Sequence, residues 1–151
     1  MNDPDCIFCK IIKGDLPYFK VWEGEKTIAF LDLRPNTKGQ TLVVPKEHVA
    51  SYPFNIDETI FVETLKAAKI VGKILENKLA VKRVALVIEG TGVNHLHVKL
   101  YPLHGLESEF QETWADEKIY FKNYQGYIST LMGPRAEDNE LRKLSADLLR
   151  P

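Results

Sequence analysis

The sequence predicts an α+β domain built on a five-stranded antiparallel sheet, with one long central helix and a second helix at the C-terminus. Short runs of β-forming residues bounded by turn residues indicate the strands. One long segment with apolar residues at helical spacing indicates the central helix. Strands combined with few helices, rather than in strict alternation with them, are typical of the α+β class.

The N-terminal elements are short and end at turn-forming residues. Cys6 to Lys13 is predicted as a short helix or turn, because Gly14 follows it. Phe19 to Trp22 and Thr27 to Asp32 are predicted strands on either side of Gly24. Their close spacing favours a hairpin.

Three further strands complete the predicted sheet. Gln40 to Val44 is an apolar run that follows the turn residues of Arg34 to Gly39. Arg83 to Glu89 and Asn94 to Tyr101 flank a tight turn at Gly90 to Gly92. The short separation of the last two strands favours antiparallel pairing.

The long helix is predicted from Asp57 to about Lys78. Asp57 suits the N-cap position, and Glu58 suits the first turn, where the helix dipole favours a negative charge. The apolar stripe that would face the sheet consists of Ile60, Phe61, Leu65, Ala68, Val71, Gly72 and Leu75.

The segment after Gly105 is expected to extend the domain. Glu137 to Leu149 is predicted as a final amphipathic helix. We expect one domain over residues 1–151, with a core at about 1–105 and an extension at 106–151. The extension is too aromatic for a disordered tail, since it contains Trp114, Tyr120, Phe121, Tyr124 and Tyr127.

Bulk properties restrict the classes of partner. The formal net charge of −1 gives no argument for broad electrostatic binding to nucleic acid or to membranes. The first residues are polar, without the apolar core of a signal peptide, and no apolar run is long enough to span a bilayer. We therefore expect a cytoplasmic protein with no membrane and no nucleic-acid partner.

The two cysteines of the chain, Cys6 and Cys9, form a Cys-x-x-Cys pair. In a reducing compartment such a pair favours a metal or redox site over a structural disulfide. A thioredoxin-like motif would follow a strand, which is not predicted here, so a metal is favoured. His48 and His95 would complete a Cys₂His₂ set, as zinc commonly has. An ordinary thiol pair with two surface histidines remains the alternative.

The segment from Asn94 to Pro102 carries the strongest sign of chemistry. Apolar residues alternate there with His95, His97 and Lys99, so strand geometry would place these three side chains on one face. A neutral imidazole is a nucleophile or a metal ligand near pH 7, and a neighbouring cation suits an anionic substrate.

Four segments together resemble histidine triad (HIT) proteins. These are Cys6 to Ile12, Ile28 to Pro35, Gly39 to His48 and His95 to Pro102. They occur in the family's order and cover roughly the first two-thirds of the chain. The resemblance implies a HIT-like fold, often paired into a homodimer, and nucleotidyl hydrolysis or transfer.

The resemblance also implies roles for individual residues. His97 matches the histidine that attacks the α-phosphorus of a nucleotide derivative to form a nucleotidyl-histidine. Structural zinc would be held by the four residues Cys6, Cys9, His48 and His95.

The family's nucleoside pocket matches two segments of the chain. Asp32 would accept hydrogen bonds from the ribose hydroxyls, and apolar side chains would enclose the base. A turn-forming role for Asp32 and a core role for the apolar residues are the alternatives. The implied pocket residues are Phe8, Ile11, Phe30, Leu31, Asp32 and Leu33.

The chain departs from the family pattern at several positions. Lys99 stands at the third triad position, and Gln40 replaces a histidine on the third strand. Ile88 stands near the position of a phosphate-contacting asparagine. The loop before the triad is short, and Thr91 or Asn94 would have to supply its donor. The implied catalytic set is His97, Lys99, Gln40 and His95, and Asn94 joins the nucleotide-binding set.

Lys99 would bind non-bridging phosphate oxygens and lower the pKa of His97.

His104 is expected on a surface loop, and the alternative is that it replaces the missing triad histidine. Three functions are open: a nucleotidyl hydrolase or transferase, a nucleotide-binding module without turnover, and a small zinc protein that acts through a partner surface.

Overall fold

The computed structural model describes residues 3–130 and 134–139. The predicted α+β class and five-stranded antiparallel sheet are confirmed. In chain order the elements are α1 (Ile7–Lys13), β1 (Lys20–Glu23), β2 (Thr27–Leu31), β3 (Thr41–Pro45), a 3₁₀ turn (Pro53–Asn55), α2 (Glu58–Leu79), β4 (Val84–Val87) and β5 (Val98–Pro102).

The strands are arranged in the order β1-β2-β3-β5-β4, and every neighbouring pair is antiparallel. β3 is central and buried along its whole length. The register places Lys99 of β5 between Leu42 of β3 and Val87 of β4. Lys99 therefore lies in the middle of the sheet, on the face that also carries Leu42.

Each face of the sheet supports its own apolar cluster. On one face α2 packs Ala68, Val71 and Leu75 against Val43 and other small strand residues. The other face is covered by α1, and its cluster contains the residues Cys6, Phe8, Cys9, Ile11, Ile28, Phe30, Leu42 and Val44. Because residues two apart share a face of a strand, the candidate site on the α1 side is separated from α2 by the whole sheet.

The two helices end where the sequence provides caps. The Asp57 carboxylate accepts hydrogen bonds from the backbone N–H groups of Thr59 and Ile60, as its predicted N-cap position requires. Gly14 ends α1 in the left-handed conformation, with φ of 86°. The Cys-x-x-Cys pair lies at the opposite end of α1, with Cys6 at the N-cap position.

β5 begins at Val98, four positions later than the predicted start at Asn94. The backbone carbonyl of His95 accepts a hydrogen bond from the His97 side chain, and the backbone N–H of Leu96 donates to Val49. These bonds replace regular ladder pairing, so His95 and His97 precede the strand while remaining buried against the same apolar cluster.

The chain divides into two compact units, Met1–Gln111 and Glu112–Pro151. The second unit exposes Trp114, and the rings of Phe121 and Tyr127 meet edge-on at 5.7 Å. Most of the predicted helix from Glu137 to Leu149 lies outside the described residues, and a single domain over residues 1–151 stays a prediction. Among the helices in the described ranges, none is long and apolar enough to cross a membrane.

Candidate active site and metal centre

The side chains of Cys6, Cys9, His48 and His95 converge on one point, where they can hold a metal ion. Their ligand atoms all lie within 4.8 Å of one another. The Nδ1 atom of His95 is 3.4 Å from Cys6 Sγ and 3.7 Å from Cys9 Sγ. His48 Nδ1 is 3.4 Å from Cys9 Sγ. The cluster joins α1 to the end of β3 and to the segment before β5.

The other nitrogen of each cluster histidine faces an oxygen, and in His95 this contact is a hydrogen bond. His95 Nε2 is 2.9 Å from the backbone carbonyl of Pro45, so this nitrogen carries the proton and Nδ1 is the lone-pair nitrogen. His48 Nε2 faces the Asp3 carboxylate at 3.8 Å. Such oxygen partners fix the ring orientation of metal-ligating histidines. Complete burial lowers the pKa of His95 and favours the neutral ring that a metal requires.

The ring of His97 is held by its own backbone environment. Its Nδ1 atom lies 2.7 Å from the carbonyl oxygen of His95, and this oxygen can only accept a hydrogen bond. Nδ1 is therefore the protonated nitrogen, and Nε2 keeps a lone pair. Burial, aided by the charge of Lys99, lowers the pKa of His97 and favours the neutral imidazole. The ring centroid of Phe8 lies 5.5 Å away and limits its rotation.

Lys99 forms an ion pair with a residue at the end of the neighbouring strand. Its Nζ atom lies 2.7 Å from Glu89 Oε2, and the side chains are 23% and 10% exposed, respectively. Desolvation acts to lower the pKa of Lys99, but the hydrogen bond and the charge of Glu89 outweigh it and hold the pKa above its usual value. The ammonium group is therefore permanently charged near neutral pH.

Asp32 and Gln40 form one hydrogen-bonded unit at the β2–β3 end of this face. Gln40 Nε2 donates to Asp32 Oδ2 at 2.7 Å, and Gln40 Oε1 accepts from the backbone N–H of Asn36 at 2.8 Å. The backbone N–H of Arg34 donates to Asp32 Oδ1 at 2.8 Å. Gln40 is only 5% exposed, so its contact with Asp32 is a fixed part of the fold.

The structure brings together some of the predicted base-pocket residues. Phe8 and Phe30 meet edge-on at 5.7 Å, and Ile11 belongs to the same buried cluster. Leu31 follows Phe30 in the strand and pairs with Thr41, so its side chain points to the opposite face. Leu33 is 71% exposed, beyond the end of β2.

The loop before β5 is tied to the chain that follows β3. Asn94 Oδ1 accepts a hydrogen bond from the backbone N–H of Ser51 at 3.1 Å and lies 3.4 Å from the Ser51 hydroxyl oxygen. The same hydroxyl donates to the carbonyl of Gly90 at 2.9 Å. Ile88, near the expected asparagine position, instead packs with the α2-side cluster. His104 is exposed, and its Nε2 atom lies 2.9 Å from the carbonyl of Lys38.

Glu89 is a site residue that the sequence analysis missed. β4 ends at Val87, which pairs with Lys99 of β5. Glu89 follows Val87 by two positions, and its carboxylate reaches Lys99. The sequence contains the signal, because Glu89 ends one apolar strand and Lys99 lies in the next strand along the chain. Cross-strand pairing of opposite charges is the principle that would have found it.

A cavity of about 330 Å³ lies away from these groups. It is lined by the turn between β1 and β2, the end of β3 and the first turns of α2, including Lys26, Pro45 and Thr64. None of the predicted nucleotide-binding residues lines it.

Comparisons with known proteins agree with the fold and with the motifs. The HIT domain family model matches residues 13–105. An adenosine 5'-monophosphoramidase of Candida albicans is 37% identical over 125 residues, which are 77% of this chain and 82% of that protein. An uncharacterized HIT-like protein of Borreliella burgdorferi is 44% identical over 90 residues, or 60% of this chain, which spans only 59% of that protein.

Solved structures show the same architecture. A protein of Streptococcus mutans superposes with a TM-score of 0.69 at 28% identity, over 97% of this chain and 84% of that chain. A HIT family member from Bacillus subtilis superposes with a TM-score of 0.65 at 26% identity, over 95% of this chain and 94% of that chain. Because the family model covers more than half of the sequence, the chain belongs to the HIT domain family.

Proposed function

We propose that the protein is a nucleotidyl hydrolase or nucleotidyltransferase that acts on the α-phosphate of a nucleotide derivative through His97. The observation that carries this proposal is the 2.7 Å bond from His97 Nδ1 to the carbonyl of His95, which leaves the Nε2 lone pair as the nucleophile. Relatives named adenosine 5'-monophosphoramidase support nucleotide substrates in general.

The neighbouring residues would bind the two parts of a nucleotide. Lys99 would contact the non-bridging oxygens of the phosphate and stabilise the charge that spreads over them in the transition state. Asp32, held by Gln40, would accept hydrogen bonds from the ribose hydroxyls. Phe8 and Phe30 would contact the base from the apolar side of the site.

We infer zinc for the cysteine–histidine cluster. Zinc–sulfur and zinc–nitrogen bonds of ordinary length, at tetrahedral angles, place sulfur and nitrogen ligands about 3.5 Å apart. The three measured sulfur–nitrogen separations are 3.4, 3.4 and 3.7 Å. Zinc with four protein ligands is structural, and here it would fix α1 and the His95–His97 segment relative to each other.

A nucleotide-binding module without turnover is the second candidate. It is favoured by Gln40, whose amide is already hydrogen-bonded to Asp32 and to the backbone N–H of Asn36. This function predicts saturable nucleotide binding that depends on Asp32 but gives no product that depends on His97.

Assembly as a homodimer and a cytoplasmic location belong to the same proposal. Edge strand β4 exposes Leu86, and α2 exposes Ile70. Apolar side chains on the α2 side of the sheet are therefore available for contact with a second copy of the chain. Light scattering coupled to gel filtration measures the mass directly, and a monomer at micromolar concentration would exclude a stable dimer.

Turnover assays separate the two candidate functions. Wild-type protein, His97→Ala and His104→Ala would be compared on a panel of nucleoside phosphoramidates, phosphoanhydrides and dinucleoside polyphosphates. The proposal expects turnover by the wild type and by His104→Ala, and none above background by His97→Ala. Equal rates for wild type and His97→Ala over the whole panel would refute a catalytic role.

A further inference from the structure

The ion pair between Lys99 and Glu89 sets the acid–base character of the site. Glu89 Oε2 accepts one of the three N–H donors of the Lys99 ammonium, at 2.7 Å. Both side chains are mostly buried, so water competes weakly with this contact. Lys99 follows His97 by two positions on the same side of the sheet, which puts the fixed positive charge beside the nucleophile.

Three other polar residues on this side of the sheet, Asp32, Tyr101 and His95, offer little acid for the reaction. Asp32 accepts hydrogen bonds from Gln40 and from the backbone of Arg34. Tyr101, on the same face as Lys99, has its phenol pKa raised by burial. The ring of His95 donates to the carbonyl of Pro45 and belongs to the metal cluster.

The chemistry of the leaving group then decides which substrates can react. When the scissile bond joins phosphorus to the oxygen of a phosphate or pyrophosphate, the leaving group departs as a stable anion, which a fixed cation assists. When the bond joins phosphorus to nitrogen, the amine must receive a proton as it leaves, so a general acid is needed. The ammonium group of Lys99 can stabilise a departing anion by its charge. It is a poor proton donor, because its contact with the Glu89 carboxylate stabilises the protonated form.

We propose that this site is specific for substrates whose leaving group departs as an anion, namely nucleoside phosphoanhydrides, and that Glu89 is the positioning residue that keeps Lys99 in this role. The inference rests on the proposed function, since it concerns the reaction of the same His97. It deepens that function by naming the bond that is cleaved.

The reaction is balanced in two steps. In the first, the Nε2 lone pair of His97 forms a bond to the α-phosphorus, and the phosphorus–oxygen bond breaks with its electron pair on the departing phosphate. Lys99 neutralises part of the developing charge without losing a proton. In the second, water attacks the same phosphorus, the phosphorus–nitrogen bond breaks with its electron pair returning to Nε2, and the proton of the water passes to solvent.

A matched pair of substrates tests the proposal on the wild-type protein. For each common nucleoside, kcat/KM would be measured for the 5'-diphosphate and for the 5'-phosphoramidate, with the His97→Ala background subtracted. The ratio of the two values cancels the contribution of the nucleoside. We expect the diphosphate to be preferred by about 100-fold or more, the usual contribution of a general acid that the amine reaction lacks here.

Substitution of the lysine should change the ratio in a defined direction. Lys99→His supplies an imidazole that can donate a proton, and it should shift the ratio toward the phosphoramidate by about tenfold or more. Because the central result comes from wild-type protein, misfolding of the variant would leave that comparison intact.

The outcomes separate this inference from the function on which it rests. His97-dependent turnover with equal rates, or with a preference for the phosphoramidate, would overturn the inference and leave the nucleotidyl chemistry standing. Turnover of neither substrate above the His97→Ala background would overturn both. A diphosphate preference that depends on His97 supports both.

Discussion

The Nδ1 atom of His97 lies 2.7 Å from the backbone carbonyl of His95, so the residue that would ligate the metal also orients the proposed nucleophile. The side chain of His95 belongs to the cysteine cluster while its main chain fixes the tautomer of His97. A metal that locks His95 would therefore also locate His97 Nε2. The proposed structural and catalytic roles would therefore be joined in two residues of one segment.

Glu89→Gln should weaken the fold and change its pH dependence. Because Glu89 raises the pKa of Lys99 on folding, the pair contributes stability below the unfolded pKa of lysine and loses it as the pH rises through the folded pKa. We expect a loss of about 2 kcal/mol near pH 7, less than for a fully buried pair, because the Lys99 side chain is 23% exposed.

Urea unfolding at pH 7 and at a series of pH values above the usual lysine pKa of about 10.5 measures this dependence. The difference between wild type and Glu89→Gln should shrink at the higher pH, and Glu89→Asp should restore part of it. A difference that is constant over this range would show that the charge of Lys99 is not involved.

Removal of the metal should destabilise the protein. The four ligands come from three separate parts of the chain, so the unfolded state lacks a preformed site and metal binding stabilises the fold. Elemental analysis should give about one zinc per chain. Chelation, or the substitution Cys9→Ser, should lower the melting temperature by about 5 °C or more.

His104→Ala is the matched control, because this histidine is outside the cluster and exposed. It should bind the same amount of zinc as the wild type. A metal-free protein with the same melting temperature as the metal-bound protein would contradict a structural role for the metal.

Gln40 should act through Asp32. Asp32→Ala removes the acceptor for the ribose hydroxyls, so nucleoside affinity should fall by about tenfold to 100-fold. Gln40→Ala removes the 2.7 Å bond that holds Asp32, and its effect should be smaller and of the same sign. Calorimetric titration of a nucleoside monophosphate measures both.

The double variant Asp32→Ala/Gln40→Ala is the decisive control. If Gln40 acts only by positioning Asp32, the double variant should bind no worse than Asp32→Ala alone. Additive losses would instead indicate that Gln40 contacts the ligand itself.

The sequence was sufficient for the sheet, the long helix and the convergence of the cysteine–histidine cluster because each depends on a simple pattern. Asp57 caps α2 as its position before an apolar stripe predicts, and Cys6 and Cys9 meet His48 and His95 as their residue types suggest. The start of β5 was wrong because a side chain, His97, bonds to the backbone where a regular ladder was expected. Strand propensity and the alternation of apolar residues do not predict when a side chain will compete with a neighbouring strand for a backbone hydrogen bond.

Partners across the sheet were less accessible from the sequence. Glu89 meets Lys99 only because β4 and β5 have a particular register, and Gln40 meets Asp32 across the loop between β2 and β3. Leu31 was expected at the base, but strict alternation places it on the α2 side. The register between strands depends on tertiary packing, because the apolar clusters on both faces of the sheet must be satisfied together.

The most direct test of the account is the mass of the protein during turnover. Wild-type protein would be mixed with excess nucleoside diphosphate and stopped within milliseconds to seconds by alkaline denaturation, because acid cleaves the phosphorus–nitrogen bond of a phosphohistidine. Intact-protein mass spectrometry should show a fraction of chains heavier by one nucleotidyl group, and peptide mapping should place the group on His97. Absence of the adduct during measured turnover, or an equal adduct on His97→Ala, would contradict the central role of this histidine.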